Sequence, residues 1–324
     1  MNQYYQVLTE DTVNGDVVQA YRFDADGNLI EGFTAGDANG DGTIDSFDTD
    51  AFIYAILHSE AQFHQQYPTG NYWACDTDGD GSVDLFDIDS WSALLTGYGG
   101  GSAMVSIRCG YDGENQLTLV EPFGTPVEGQ KRVVFTYDHL QRRVEKRVYT
   151  YTSGNWSATP TEQRRFVYYG NLLIAEIDCG AAGGTSVPPA ETAMRTYTYG
   201  LDLAGQRDGR SLAGAAGIGG LLALHDADDP NDPAGDYVFC YDANGNVGQL
   251  VDLTPTTWST DSLVARYAYD PYGNITQSAG DYAAENPIRF STKYWDDETG
   301  LGYWLRRFYC PVLGRWLNRD PIGE

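Results

Sequence analysis

The sequence predicts a mainly β fold: a long, twisted antiparallel sheet of short strand units, interrupted near its start by a small acidic all-α insert. Three observations carry this. The chain of 324 residues holds 38 glycines and 24 tyrosines, and Gly supplies the positive φ of tight turns while Tyr suits a pleated, half-buried surface. Tyr and Phe recur at alternate positions in short runs that each end in an Asx-rich turn. Between Gly36 and Gly97, by contrast, twelve Asp or Glu residues occur with no Lys or Arg.

The units are YRFDADGNL (21–29), VVFTYDHLQRRV (133–144), RRFVYYGNLLIAEID (164–178), RTYTYG (195–200), YVFCYDANGNVGQLVD (237–252) and ARYAYDPYGNI (265–275). Period-2 alternation places Tyr237, Phe239 and Tyr241 on one strand face, and Tyr267 with Tyr269 on another. In YDANGN, the Asp242 side chain can accept a backbone N–H two residues on, and Gly245 can take the left-handed conformation that closes a hairpin. Each unit is therefore strand, Asx turn and return strand. Stacked units form a sheet that coils because strands twist.

Composition sets bounds. With 42% hydrophobic and 13% aromatic residues the chain is globular. A net charge of −26 argues against non-specific nucleic-acid binding or docking on anionic lipid, both of which need a basic surface. No N-terminal stretch joins a basic start to an apolar run, and Ser211 to Leu224 is too short and glycine-rich to span a membrane. Cys75, Cys109, Cys179, Cys240 and Cys310 are spread singly, so neither a zinc site nor a disulfide framework is indicated. His58 and His64 are off helical register for shared ligation.

The Tyr-Asp-x-x-Gly units resemble the YD or Rhs repeats of large bacterial surface and toxin proteins. Asn286 to Glu324 (NPIRFSTKYWDDETGLGYWLRRFYCPVLGRWLNRDPIGE) closely resembles the Rhs repeat-associated core that follows such repeats. The resemblance implies a β-shell that encloses a C-terminal segment, often a toxin, with the core plugging one end, and an extracellular or cell-surface location. The expected organisation is a first repeat unit (1–35), the acidic module (36–98), a glycine junction (99–101), a partial YD-repeat shell (102–285) and the core (286–324).

The acidic module contains two twelve-residue copies, DANGDGTIDSFD (37–48) and DTDGDGSVDLFD (76–87), that start 39 residues apart. Against the EF-hand calcium loop, Asp37, Asn39, Asp41, Thr43, Asp45 and Asp48 take the ligand positions of the first copy. Asp76, Asp78, Asp80, Ser82, Asp84 and Asp87 take them in the second, and Gly42 and Gly81 stand where the backbone turns sharply. So many carboxylates in one loop repel each other unless a hard cation such as Ca²⁺ joins them, so two Ca²⁺ sites are expected. Asp at the last ligand position and the lack of a helix before the first loop resemble dockerin type I modules, which pair each loop with a following helix, here Phe47–His58 and Phe86–Leu95. That resemblance implies a cohesin-like partner contacting Ser46, Phe47, Leu85 and Phe86. The plainer reading buries Phe47 and Phe86 with Phe52, Ile56 and Trp91 on packed helix faces.

No nucleophile elbow, P-loop or HExxH motif occurs. Arg319 and Asp320 match the Arg-Asp-Pro motif with which toxin-type Rhs cores cut their own chain. Asp296, Asp297 and Glu298 read as a strand followed by an acidic turn, and Cys310 as an inert buried thiol. The expected function is a non-enzymatic surface or secreted carrier whose shell encapsulates or presents a C-terminal segment, with Ca²⁺-dependent attachment through the module. The alternatives are a self-cleaving toxin carrier using Arg319 and Asp320, and a glycan-binding adhesin using loop tryptophans Trp73, Trp156 and Trp258.

Overall fold

In a computed structural model of the chain, the structure describes residues 3–9, 17–41, 44, 46–77, 82–88, 91, 107–123, 126–180, 193–207, 215–227, 229, 235–254 and 262–320. The chain forms two compact units. One comprises Met1–Arg132 with Thr150–Trp156, the other Val133–Tyr149 with Ser157–Ile322.

The first unit opens with the antiparallel strands β1 (Gln3–Thr9), β2 (Val17–Phe23) and β3 (Leu29–Thr34), and continues through β4 (Ile107–Tyr111) and β5 (Leu117–Pro122). Between β3 and β4 lie a 3₁₀ turn (Ser46–Asp48), α1 (Thr49–Leu57), α2 (Glu60–Gln66) and a second 3₁₀ turn (Tyr72–Cys75). Helix α2 was not expected. It starts at a capping box in which Ser59 and Gln62 satisfy each other's end of the helix. Of the expected helix Phe86–Leu95, Asp87, Ile88 and Trp91 are helical and the remainder beyond Trp91 lies outside the described residues. Phe52 stacks on Trp91 at 4.4 Å, and Ala38, Ala51, Ala55, Phe63 and Cys75 complete a small core.

The second unit contains β6 (Lys131–Tyr137) from Val133 and β7 (Arg143–Thr152) to Tyr149, then β9 (Glu162–Tyr169), β10 (Leu172–Asp178) and β11 (Ala193–Tyr199). The short β8 (Asn155–Trp156) pairs with the end of β7 inside the first unit. The second unit goes on through β12 (Leu221–Asp226), β13 (Gly235–Tyr241), β14 (Val247–Asp252), β15 (Leu263–Tyr269) and β16 (Ile275–Ala279). From β9 on, each strand pairs antiparallel with the next. A four-stranded sheet, β17 (Tyr294–Asp296), β18 (Leu301–Trp304), β19 (Arg307–Cys310) and β20 (Arg315–Trp316), follows. The fold is mainly antiparallel β, as expected.

The repeat has a physical explanation. At Asp24, Asp112, Asp138, Asp202, Asp242 and Asp270, one carboxylate oxygen accepts the backbone N–H groups two and four residues on, at 2.8–3.0 Å. The residue three on has positive φ each time: Gly27, Asn115, Gln141, Gly205, Gly245 and Gly273. At three of these turns the hydroxyl of the preceding tyrosine reaches the first carbonyl of a neighbouring return strand. Tyr111 donates to Leu29, Tyr241 to Leu221 and Tyr269 to Val247, and Tyr168 makes the same bond to Arg143. That carbonyl lies where the ladder ends, so the phenol satisfies a group the sheet cannot. The register slips by one residue before the turn, at Arg22/Phe23, Gly110/Tyr111, Thr198/Tyr199, Cys240/Tyr241 and Ala268/Tyr269. Such bulges increase the local twist.

Candidate functional site

In the first unit the acidic loops close on themselves. Asp37 Oδ1 accepts from Gly40 N at 2.9 Å and Asp41 N at 3.1 Å, and Asn39 Oδ1 accepts from Asp41 N at 2.8 Å. The last carboxylate of each loop folds back across it. Asp48 accepts from Asn39 N at 3.0 Å, and Asp87 accepts from Thr77 N at 2.6 Å and Asp84 N at 2.8 Å. Asp37, Asp48, Asp76 and Asp87 are all buried, in a segment with no Lys or Arg. Ser82 is exposed and Asp84 half-buried. Thr43, Asp45, Asp78 and Asp80 lie outside the described residues, among which no three or more His, Cys, Asp or Glu side chains gather as a donor group.

The plainer reading of the phenylalanines is corrected. Phe47 and Phe86 are each 78% exposed, while Phe52 and Trp91 form the core. Both phenylalanines immediately precede the carboxylate that folds inward, so the backbone there turns the Asp into the loop and its neighbour out. Ser46 and Leu85 are exposed too, as are Ile53, Leu57 and Ile88. The helical segment is held against the strands of its own unit. Trp73 donates its indole N–H to Glu60 at 2.9 Å, Arg22 pairs with Glu31 at 2.7 Å and lies over Trp73, and Phe33, Ala35 and Ala74 form a shared apolar cluster.

In the second unit the structure brings together charges that the sequence pattern did not single out. Asp296, in the stretch expected as a strand and acidic turn, ends β17, is fully buried and pairs with the fully buried Arg143. The Arg143 guanidinium sits over the rings of Phe166, Tyr294 and Tyr303 at 4.6, 4.8 and 4.4 Å. Lys146 reaches Glu298 at 2.9 Å and Asp296 at 3.4 Å. Burial pushes the Asp296 carboxyl up, and Arg143 and Lys146 draw it back down. A second group joins Arg195 to Asp226 at 2.8 Å, with Tyr282 donating to Asp226 and Tyr197 and Tyr294 donating to Glu176. Arg143, Lys146, Glu176 and Arg195 lie on repeat strands, and Tyr294 and Asp296 on β17. The buried charges therefore fasten the terminal sheet to the repeat strands.

Arg319 is exposed, and Asp320 pairs with Arg307 at 3.0 Å. Burial pushes the Cys310 thiol up, which disfavours the reactive thiolate. His225, the nearest histidine in sequence, pairs with Asp236. Of the loop tryptophans, Trp73 is covered by Arg22 and Trp156 by Arg132 at 4.4 Å, and Trp258 lies outside the described residues. Among the described residues no helix is long and apolar enough to cross a membrane.

No family model matches the chain. It is 29% identical over 220 residues to double-stranded DNA deaminase toxin A of Burkholderia cenocepacia, a match covering 67% of this chain and 14% of that protein. It is 37% identical over 86 residues to the tRNA nuclease WapA of Bacillus subtilis, covering 26% and 3%. With the toxin subunit YenC1 of Yersinia entomophaga it shares 26% identity over 220 residues, covering 66% and 19%. These relatives are toxin-related proteins, and the chain spans a small fraction of their length. The solved structure of TcdB2–TccC3–TEV aligns with 99% of this chain and 14% of that one, at a TM-score of 0.46 and 17% identity.

Proposed function

We propose that the chain is the carrier portion of an Rhs-type toxin protein: repeat strands and a terminal core sheet that house or present a C-terminal segment, with the acidic module as its attachment point. The observation that carries the reading is the buried charge network on Arg143 and Asp296, which fastens the terminal sheet to repeat strands of the second unit, as a plugging core would be fastened. The relatives support it. A DNA deaminase toxin and a tRNA nuclease differ in chemistry, yet each shares with this chain a stretch much shorter than itself, as a common carrier would. The experiment is latency: a nuclease domain fused after Glu324 is expected to cleave its nucleic acid at least about tenfold more slowly before than after proteolytic opening of the carrier. Equal rates contradict the reading.

For the module, Ca²⁺ held by the two loops is supported by four buried carboxylates in a segment without Lys or Arg, since burying ionised carboxylates without a counter-charge is costly. Asp37, Asn39, Asp41, Thr43, Asp45 and Asp48 would hold one ion. Asp76, Asp78, Asp80, Ser82, Asp84 and Asp87 would hold the other. The dockerin-like attachment reading is favoured by the exposure of Phe47 and Phe86 at equivalent loop positions, beside Ser46 and Leu85. A cohesin-like protein that engages this face is expected to lose binding to the double variant Phe47→Asp/Phe86→Asp.

A further inference from the structure

Lys146 on β7 and Asp296 on β17 meet inside the second unit, 4% and 0% exposed, with Lys146 Nζ 3.4 Å from Asp296 Oδ1. We propose that these two side chains are a modification site: they join by an amide bond with loss of one water, Glu298 taking up a proton of the amine. The bond stands apart from the carrier role and from the acidic loops.

The amine is placed for more than neutralisation. Lys146 Nζ donates to Glu298 Oε1 and Oε2 at 2.9 and 3.0 Å. Asp296 Oδ1 is buried and accepts no hydrogen bond among the described residues, although the amine is 3.4 Å away. A lysine that served only to offset this carboxylate would donate to that oxygen. The nitrogen instead lies against the carboxyl off the hydrogen-bonding directions. Amide formation needs it roughly 3–3.5 Å from the carboxyl carbon, and holding both groups in place supplies the high effective concentration of an intramolecular reaction. Asp296 Oδ2 accepts from Arg143 Nη1, so negative charge that develops on this oxygen has a fixed cation beside it.

Burial pushes the Lys146 ammonium towards the neutral amine, but Asp296, Glu298 and Glu162 outweigh it and hold the proton. The nucleophile therefore forms by handing a proton to a carboxylate, and Glu298 is in hydrogen-bond contact. Burial also pushes the Asp296 carboxyl up, towards the form an amine can attack. Lys146 gives one proton to Glu298, and its nitrogen pair forms the bond to Asp296 Cγ while the C=O pair moves onto Oδ2. The nitrogen then passes a second proton to Oδ1. The Oδ2 pair returns, the Cγ–Oδ1 bond breaks, and Oδ1 leaves with the Glu298 proton as water. One hydrogen stays on the amide nitrogen, and Glu298 regains its charge. A cavity of about 100 Å³ bordered by Lys146, Glu298 and Tyr294 has room for the water. Two buried ions give way to a neutral amide, which removes the cost of keeping them from water. Arg143 keeps a hydrogen bond to the amide oxygen and its cover of Phe166, Tyr294 and Tyr303 rings.

The mass of the whole chain, measured unfolded, tests the bond. The chain is expected to be lighter than its sequence by one water, and digestion should release a branched peptide that joins Lys146 to Asp296. An amine reagent added to the unfolded chain should modify Lys131 and leave Lys146 untouched. Lys146→Arg keeps the charge and cannot form this amide, so it should have the full sequence mass. Glu298→Gln should slow bonding by about 100-fold. The unaltered chain decides the matter by itself, so a variant that fails to fold leaves the answer standing. A full sequence mass, a Lys146 amine open to reagent after unfolding, or a water loss that maps to an Asp-Gly pair or persists in Lys146→Arg would overturn the assignment. Unchanged bonding in Glu298→Gln would overturn the part given to Glu298.

Discussion

Arg143 and Asp296 are 153 positions apart in sequence and meet with both side chains removed from solvent. Removing one partner of such a pair leaves a buried charge uncompensated, at a cost of about 3–5 kcal/mol. Asp296→Asn is therefore expected to lower the unfolding free energy by about that amount in denaturant titrations. The double variant Arg143→Met/Asp296→Leu should lose less, because neither charge remains to be buried. Equal losses would show that shape, not charge, fixes the contact. The turn aspartates predict an acid response. At Asp242, partial burial pushes the carboxyl up, but hydrogen bonds from Asn246, Asn244 and Gly245 outweigh it and hold it below its usual value, and Asp270 behaves alike. A depressed folded value means this contribution is complete above the unfolded value near pH ~3.9 and lost as pH falls through the folded one. Melting temperatures should drop below about pH 4, and Asp242→Asn should flatten that slope. Asp296, raised by burial, acts in the opposite sense.

At the scale of the element, much was legible and the omissions have reasons. The Asx turn and left-handed glycine of YDANGN are present as the sequence chemistry required, because they depend on residues within five positions of one another. The same turn at YDGENQ (111–116) and DLAGQ (202–206) was missed although the aspartate spacing is identical; a non-Gly residue at Asn115 and a Leu before Asp202 concealed it. Helix α2 was missed despite its Ser59 and Gln62 signal. The exposure of Phe47 and Phe86 followed only from the dockerin resemblance; helical periodicity favoured burial, because it marks a stripe and does not say which apolar residues the tertiary structure covers. Arg143 and Lys146 were concealed for a related reason: on an alternating strand, charge looks like a solvent face until a distant carboxylate is known to meet it. Tyr241→Phe removes the hydroxyl that satisfies the Leu221 carbonyl and should cost about 1 kcal/mol. Calorimetry of the whole chain against Ca²⁺ should show saturable binding and higher thermal stability than in chelator, since an ion that binds only the folded form stabilises it. No heat of binding and no stabilisation would remove Ca²⁺ from the account.

For the whole molecule, the carrier proposal rests on the terminal sheet fastened to repeat strands by buried charges and on the stretches shared with toxin-related proteins. The sequence allowed that reading through the YD units and the 286–324 stretch, whereas the way the terminal stretch is fastened became visible only in three dimensions. The most direct test is protease protection. An unstructured reporter segment is fused after Glu324 and its cleavage is timed beside that of the same segment on an unrelated folded protein. A carrier predicts cleavage slowed at least about tenfold, with protection lost when Asp296→Asn loosens the terminal sheet. A reporter cut equally fast on both proteins would contradict the carrier account.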